Sequence, residues 1–197
     1  MRQKAALLMA GLLCVLTACT DAKTSALFKA ARTNNAAEAQ RLIADGADVD
    51  AQTYFGLTVL MVAAGNNAVD VTRLLLEANA DINAKNKYGT TALMIAAINN
   101  ASDTARLLIE ANADVNAQDN DGMTALIYAA REYDVDMLRL LLIANADVNA
   151  TDKDGNTALT YAAEKGAWNM AKLLKLADSN RPLFIFMNEM QLMRNGN

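Results

Sequence analysis

The sequence predicts an all-α solenoid of about five helix-turn-helix units with short turn fingers between them. Two observations carry this. Gly56, Gly89, Gly122 and Gly155 stand 33 residues apart, and Thr58, Thr91, Thr124 and Thr157 follow in the same register. The apolar positions repeat with them: Leu60, Leu93, Leu126 and Leu159, the alanine pairs beginning at Ala63, Ala96, Ala129 and Ala162, and the leucine pairs beginning at Leu74, Leu107, Leu140 and Leu173. A fixed period in this range marks stacked supersecondary units, each too small to bury its own apolar face. Such a stack builds an extended surface rather than an enclosed reaction chamber.

Residues 1–18 read as an export signal. Arg2 and Lys4 give a positive start, and residues 5–16 are apolar. That stretch is too short to cross a membrane, which takes about 20 apolar residues. Leu16-Thr17-Ala18-Cys19 resembles the bacterial lipobox, which implies that Cys19 becomes a lipidated mature N-terminus followed by a linker, residues 19–24. Cys14 fits less well, because Leu13 before it is large. Thr20, rather than aspartate, follows Cys19, so the resemblance points to anchoring in the outer membrane of a bacterial cell envelope, on the periplasmic side. The chain has only these two cysteines, which leaves the folded part with no disulfide to form in an oxidising compartment. Without Arg2 and Lys4, 16 basic residues face 22 acidic ones, a net charge of −6. This balance disfavours nucleic acid and anionic lipid surfaces as partners.

The units fall near 25–53, 54–85, 86–118, 119–151 and 152–178. In the third, Lys87-Tyr88-Gly89-Thr90 signals a turn in which glycine supplies a backbone angle that other residues resist. Thr91 stands at the N-cap of a short helix, its hydroxyl placed for the open amides of the first turn. Leu93, Ala96 and Ala97 form the apolar stripe. Asn99-Asn100-Ala101-Ser102 ends this helix and caps a second over 103–111, which is expected to bury Ala105, Leu107 and Leu108 and to leave Arg106 and Glu110 in water. Asn112 takes the left-handed position at the helix end that Gly46 occupies in the first unit. Asp114, Val115 and Asn116 open the turn onward, with short polar side chains suited to nearby backbone amides. The composition, 53% hydrophobic but 5% aromatic, suits a core of Leu, Ala, Val and Ile.

Gly89-Thr90-Thr91-Ala92-Leu93, Ala96-Ala97, Leu107-Leu108 and Ala113-Asp114-Val115-Asn116-Ala117, repeated over four units, resemble the ankyrin repeat. The first unit keeps Leu27, Ala30-Ala31, Leu42-Ile43 and Gly46-Ala47-Asp48-Val49-Asp50 without a preceding turn, and reads as an N-terminal cap. The family's Thr-Pro-Leu-His becomes Thr58-Val59-Leu60-Met61, Thr91-Ala92-Leu93-Met94, Thr124-Ala125-Leu126-Ile127 and Thr157-Ala158-Leu159-Thr160. The chain contains no histidine, so the family's imidazole bonds are missing and coupling between repeats is expected to be slightly weaker. Asparagine in place of glycine before Ala-Asp should cost a little at each helix end. The fifth unit loses the pattern after Leu174, and Pro182 stops any continuing helix. Residues 179–197 are expected to cap the last apolar face, with Trp168 packed in that closure; the alternative is an element that contacts a partner or membrane.

No catalytic constellation emerges. Without histidine, Ser-His-Asp and Cys-His arrangements are impossible, and a zinc site lacks its ligands. Asp119-Asn120-Asp121-Gly122 and Asp152-Lys153-Asp154-Gly155 look like parts of a calcium loop, but neither has the downstream glutamate at the required spacing. Both read as turn formers. The expected state is therefore a non-enzyme without cofactor, metal or small-molecule substrate. The resemblance implies binding of another protein through the concave side, formed by turn tips and first-helix flanks. The candidate contact residues are Tyr54, Phe55, Leu57, Lys87, Tyr88, Met123, Arg131, Glu132, Tyr133 and Lys165, since aromatics and arginine dominate binding hot spots. Exported ankyrin lipoproteins resemble immunity proteins that neutralise a periplasmic toxin, and periplasmic factors that support stress-protective enzymes such as catalase. A structural envelope protein with an inert concave face is the remaining alternative.

Overall fold

The computed structural model describes residues 22–178; the expected signal, Cys19 and the tail lie outside them. Among the described residues, ten α-helices form five consecutive pairs: α1 Ala22–Thr33 with α2 Ala36–Ala44, α3 Val59–Gly65 with α4 Val69–Glu77, α5 Ala92–Ile98 with α6 Ser102–Glu110, α7 Ala125–Glu132 with α8 Val135–Ile143, and α9 Ala158–Glu164 with α10 Trp168–Asp178. The first of each pair packs on its neighbours more closely than the second does. The stack therefore curves, with the first helices and the fingers on its concave side.

The local chemistry follows the repeat. Thr58, Thr91, Thr124 and Thr157 cap α3, α5, α7 and α9, each hydroxyl accepting the amide three residues on at 3.2–3.4 Å. In α3 and α9 the cap is reciprocated: the Thr58 amide donates to Met61 Sδ and the Thr157 amide to Thr160 Oγ1. Those two residues occupy the place of the family's histidine and close the cap within their own unit. Helix α5 is buried along its whole length, because units stack on both of its faces. The second helices are amphipathic: in α6, Ala105 and Leu108 are buried while Arg106 and Glu110 face water. Leu107 is only half-buried, contrary to expectation, since the looser outer row leaves it at the rim.

Asn79, Asn112 and Asn145 adopt the left-handed conformation expected of them, with φ of 59°, 63° and 60°. After α6 the Asn112 amide donates to Ile109 O and the Ala113 amide to Leu108 O, at 3.0 and 2.9 Å. These paired bonds satisfy the last carbonyls of the helix. The start of α6 differs from the sequence reading. Its N-cap is Ala101, which offers no side-chain cap. Instead Asn67 of the preceding unit accepts from the Thr104 amide at 3.1 Å and the Thr104 hydroxyl at 3.0 Å. Asn34 does the same for the Val71 amide of α4 at 3.2 Å. Each asparagine is left-handed, φ 50° and 49°, which turns its side chain onto the next unit. These bonds couple neighbouring repeats, and no single-unit reading exposes them.

A second tie also escaped the sequence reading. The buried Asp119 carboxylate accepts from the amides of Asp121 and Met123, both at 2.9 Å, and from the Tyr128 hydroxyl at 2.5 Å. Asp152 repeats this with Asp154, Asn156 and Tyr161, the last at 2.6 Å. Both aspartates thus organise their turns, as expected, and also clamp finger to helix. Burial opposes ionisation of Asp152, but the donated bonds from Tyr161, Asn156 and Asp154 outweigh it and hold its pKa below the ordinary 3.8. The same bond pushes the Tyr161 phenol up to about 12. A depressed carboxylate contributes stability that is present above its unfolded value and fades as pH falls through the folded one. Urea unfolding midpoints below pH 4 should accordingly fall more steeply in the parent chain than in Asp152→Asn; parallel curves would refute the clamp.

Candidate functional site

The fingers are built from main-chain bonds and from the side-chain acceptors of Thr53, Asn86, Asp119 and Asp152 at their bases. Each closes on itself: the amides of Thr53, Asn86, Asp119 and Asp152 donate to the carbonyls of Leu57, Thr90, Met123 and Asn156 at 3.0–3.1 Å. Each then docks on the next, through Lys87 N to Phe55 O at 3.0 Å, Asn120 N to Tyr88 O at 2.9 Å and Lys153 N to Asp121 O at 2.9 Å. The tip side chains are left over, and point outward. On the first two fingers they form one cluster. Tyr54 and Phe55 meet edge to face with ring centroids 5.2 Å apart, and Lys87 Nζ stands 3.9 Å over the Tyr54 ring. Tyr54 is 67% exposed and Tyr88 52%. A cation over an exposed ring contributes only about 0.5–1 kcal/mol, so folding gains little from holding three aromatics in water. A patch of large apolar groups in water marks an interaction surface.

Leu57 and Met123 are corrections. They are 5% and 4% exposed, because their carbonyls close the finger and their side chains fall on its core side. Neither can meet a partner.

The remaining candidates form a second group at the far end of α7 and α9. Arg131 lies over the Tyr128 ring at 4.7 Å and within 3.7 Å of Glu132, both charged groups half-buried. Tyr133 is exposed and donates its hydroxyl to the Lys165 carbonyl. Its φ is +68°, in a position where the earlier units carry Asn34, Asn67 and Asn100. A bulky residue there is strained, and such strain tends to collect at functional sites. Asp134 supplies the cap that asparagine gives elsewhere, accepting from the Met137 amide at 2.9 Å. The eight-residue α7 places this group about 12 Å from the finger row. The ten residues therefore resolve into an exposed finger cluster, a partly buried group at the far helix ends and two buried positions.

The stacked pairs and their outward-facing tips define a helical-repeat protein that acts by presenting a surface. A family model of ankyrin repeats in three copies matches residues 5–86, 27–119 and 93–182, and the chain belongs to the ankyrin-repeat family. The family is one of protein–protein interaction modules and is generally non-enzymatic. Mitochondrial disaggregase from Bos taurus is 52% identical over 46 residues, covering 23% of this chain and 7% of that protein. The Homo sapiens counterpart is 54% identical over 44 residues, covering 22% and 6%. The match thus spans less than a tenth of the length of these relatives.

Proposed function

We propose that this chain is a membrane-anchored module on the periplasmic side of a bacterial envelope, held by lipid on Cys19, and that its concave side masks a site on a protein partner in the manner of an immunity protein. The observation that carries the binding role is the exposed cluster of Tyr54, Phe55, Lys87 and Tyr88, which the fold does not need. A surface fixed by main-chain bonds loses little entropy on binding. The acidic balance left without Arg2 and Lys4, −6, suits a basic partner. The anchor rests on the lipobox resemblance: acyl chains contribute about 0.8 kcal/mol per buried methylene, so a multiply acylated Cys19 would hold the module firmly.

The chain from Thr20 onward, used as bait in envelope extract, is expected to recover a specific partner. Tyr54→Ala with Tyr88→Ala should lose it, since a pair of hot-spot residues contributes at least about 2 kcal/mol each. Recovery of the same proteins by both baits defeats the reading. In cells, labelled palmitate should enter the full chain and not Cys19→Ser; equal labelling removes the anchor and leaves the surface standing.

A further inference from the structure

We propose, resting on the reading that the finger cluster meets the partner, that the finger row takes one extended segment of that partner in a fixed direction. An apolar side chain and a neighbouring carboxylate lie over the first two fingers, and a basic side chain lies over the last two. The distribution of charge points to this. Residues 53–57 and 86–90, the first two fingers, hold Lys87 and no acidic residue. Residues 119–123 and 152–156, the last two, hold Asp119, Asp121, Asp152 and Asp154 against Lys153. The aromatic residues of the row, Tyr54, Phe55 and Tyr88, all stand in its first half. The row therefore has an apolar, positive end and a polar, negative end.

Folding does not set this difference, because the main-chain bonds that close and dock the fingers are the same at both ends. What the tip lysines meet is different. Lys153 Nζ has Asp121 of the preceding finger at 3.8 Å. The residue in that register beside Lys87 is Phe55, and the Lys87 ammonium stands over the Tyr54 ring instead. Among the described residues Lys87 joins no ion pair. A ring face orders the lysine stem without neutralising its charge, so the ammonium is already placed for an anion from outside. A carboxylate that reaches it comes to lie beside three aromatic rings, which suits an apolar neighbour in the same segment. At the other end Asp154 is exposed. The Asp121–Lys153 pair has side chains 66% and 68% exposed, and a surface pair of that kind is weak enough to exchange for a partner's cation. Packed helices lie about 8–10 Å apart, which puts Lys87 and Asp154, two units apart, at about 20 Å. An extended chain covers that in about six residues. The acidity of the whole chain draws a basic protein, and the row decides which stretch of it docks and which way round.

A random peptide library displayed on phage is the probe. The chain from Thr20 onward, which keeps all five described helix pairs, should select peptides with an apolar residue next to Asp or Glu. Lys or Arg should follow about six residues away, always in one order along the peptide. Lys87→Glu should select Lys or Arg in place of the acidic residue, and should bind the parent's peptides at least about tenfold more weakly. Asp121→Lys with Asp154→Lys should invert the other end and leave the first unchanged. All three side chains are exposed, and the second variant keeps the test open should the first misfold. Selection of the same charges by the parent and both variants, or of both orders equally, overturns the proposal. If Tyr54→Ala with Tyr88→Ala still loses those peptides, the finger surface survives that outcome. Failure of the parent to select any peptide also overturns the proposal, and the bait experiment then decides the surface on its own. Peptides that bind the double tyrosine variant as tightly as the parent remove both.

Discussion

Gly89→Ala is expected to destabilise the solenoid by about 3 kcal/mol, and Gly155→Ala by about 1 kcal/mol. The two glycines have nearly the same backbone angle, φ 76° and 81°, so the intrinsic cost of a left-handed alanine is common to both. What differs is the neighbour. A Cβ on Gly89 would lie 2.7 Å from the Asn120 amide nitrogen and 3.0 Å from Asp119 Cα, whereas one on Gly155 meets nothing within 4 Å. The obstructing atoms cannot retreat, because Asn120 is fixed by bonds from its amide to Tyr88 O and from its Nδ2 to Lys87 O, at 2.9 and 3.0 Å. Urea unfolding followed by circular dichroism measures the difference. Equal losses would mean that the fingers do not dock as described.

Asp119→Ala should cost about 4 kcal/mol, because it strands the amides of Asp121 and Met123 and removes the bond from the hydroxyl of the fully buried Tyr128. Each unsatisfied buried group costs about 1–3 kcal/mol. Asp119→Asn keeps an acceptor for the amides and should cost less than half as much. Tyr128→Phe should be nearly harmless in the Asp119→Ala background and costly in the parent, the signature of one shared network. An Asp119→Ala loss under 1 kcal/mol, or strict additivity with Tyr128→Phe, would dismiss the network.

This tie shows where sequence reading stops. Thr91, Asn112 and Gly89 could be assigned their roles because caps and turns depend on neighbours a few residues away. Asp119 and Tyr128 are nine positions apart, and their link becomes visible only in comparison across units. Aspartate faces tyrosine in the fourth and fifth, but Asn86 matches Ile95 and Thr53 matches Val62 where no hydroxyl is available. The pairing recurs at a spacing of 33 residues, outside the reach of any rule that reads one unit at a time. Asn67 capping the following unit was hidden for a different reason, since its left-handed turn has no local signature that says which way the side chain swings. At the surface, aromatics at Tyr54, Phe55 and Tyr88 were legible as anomalies in a turn. The burial of Leu57 and Met123 was not, because one residue past the glycine the chain doubles back and the side chain changes sides.

At 55, 87 and 88 the fingers hold one another through amides and carbonyls that every amino acid but proline carries. Recognition and architecture are thereby uncoupled in this molecule. A descendant could exchange every side chain at 54, 55, 87 and 88 for others, acquire a new target, and inherit the same scaffold at the same stability.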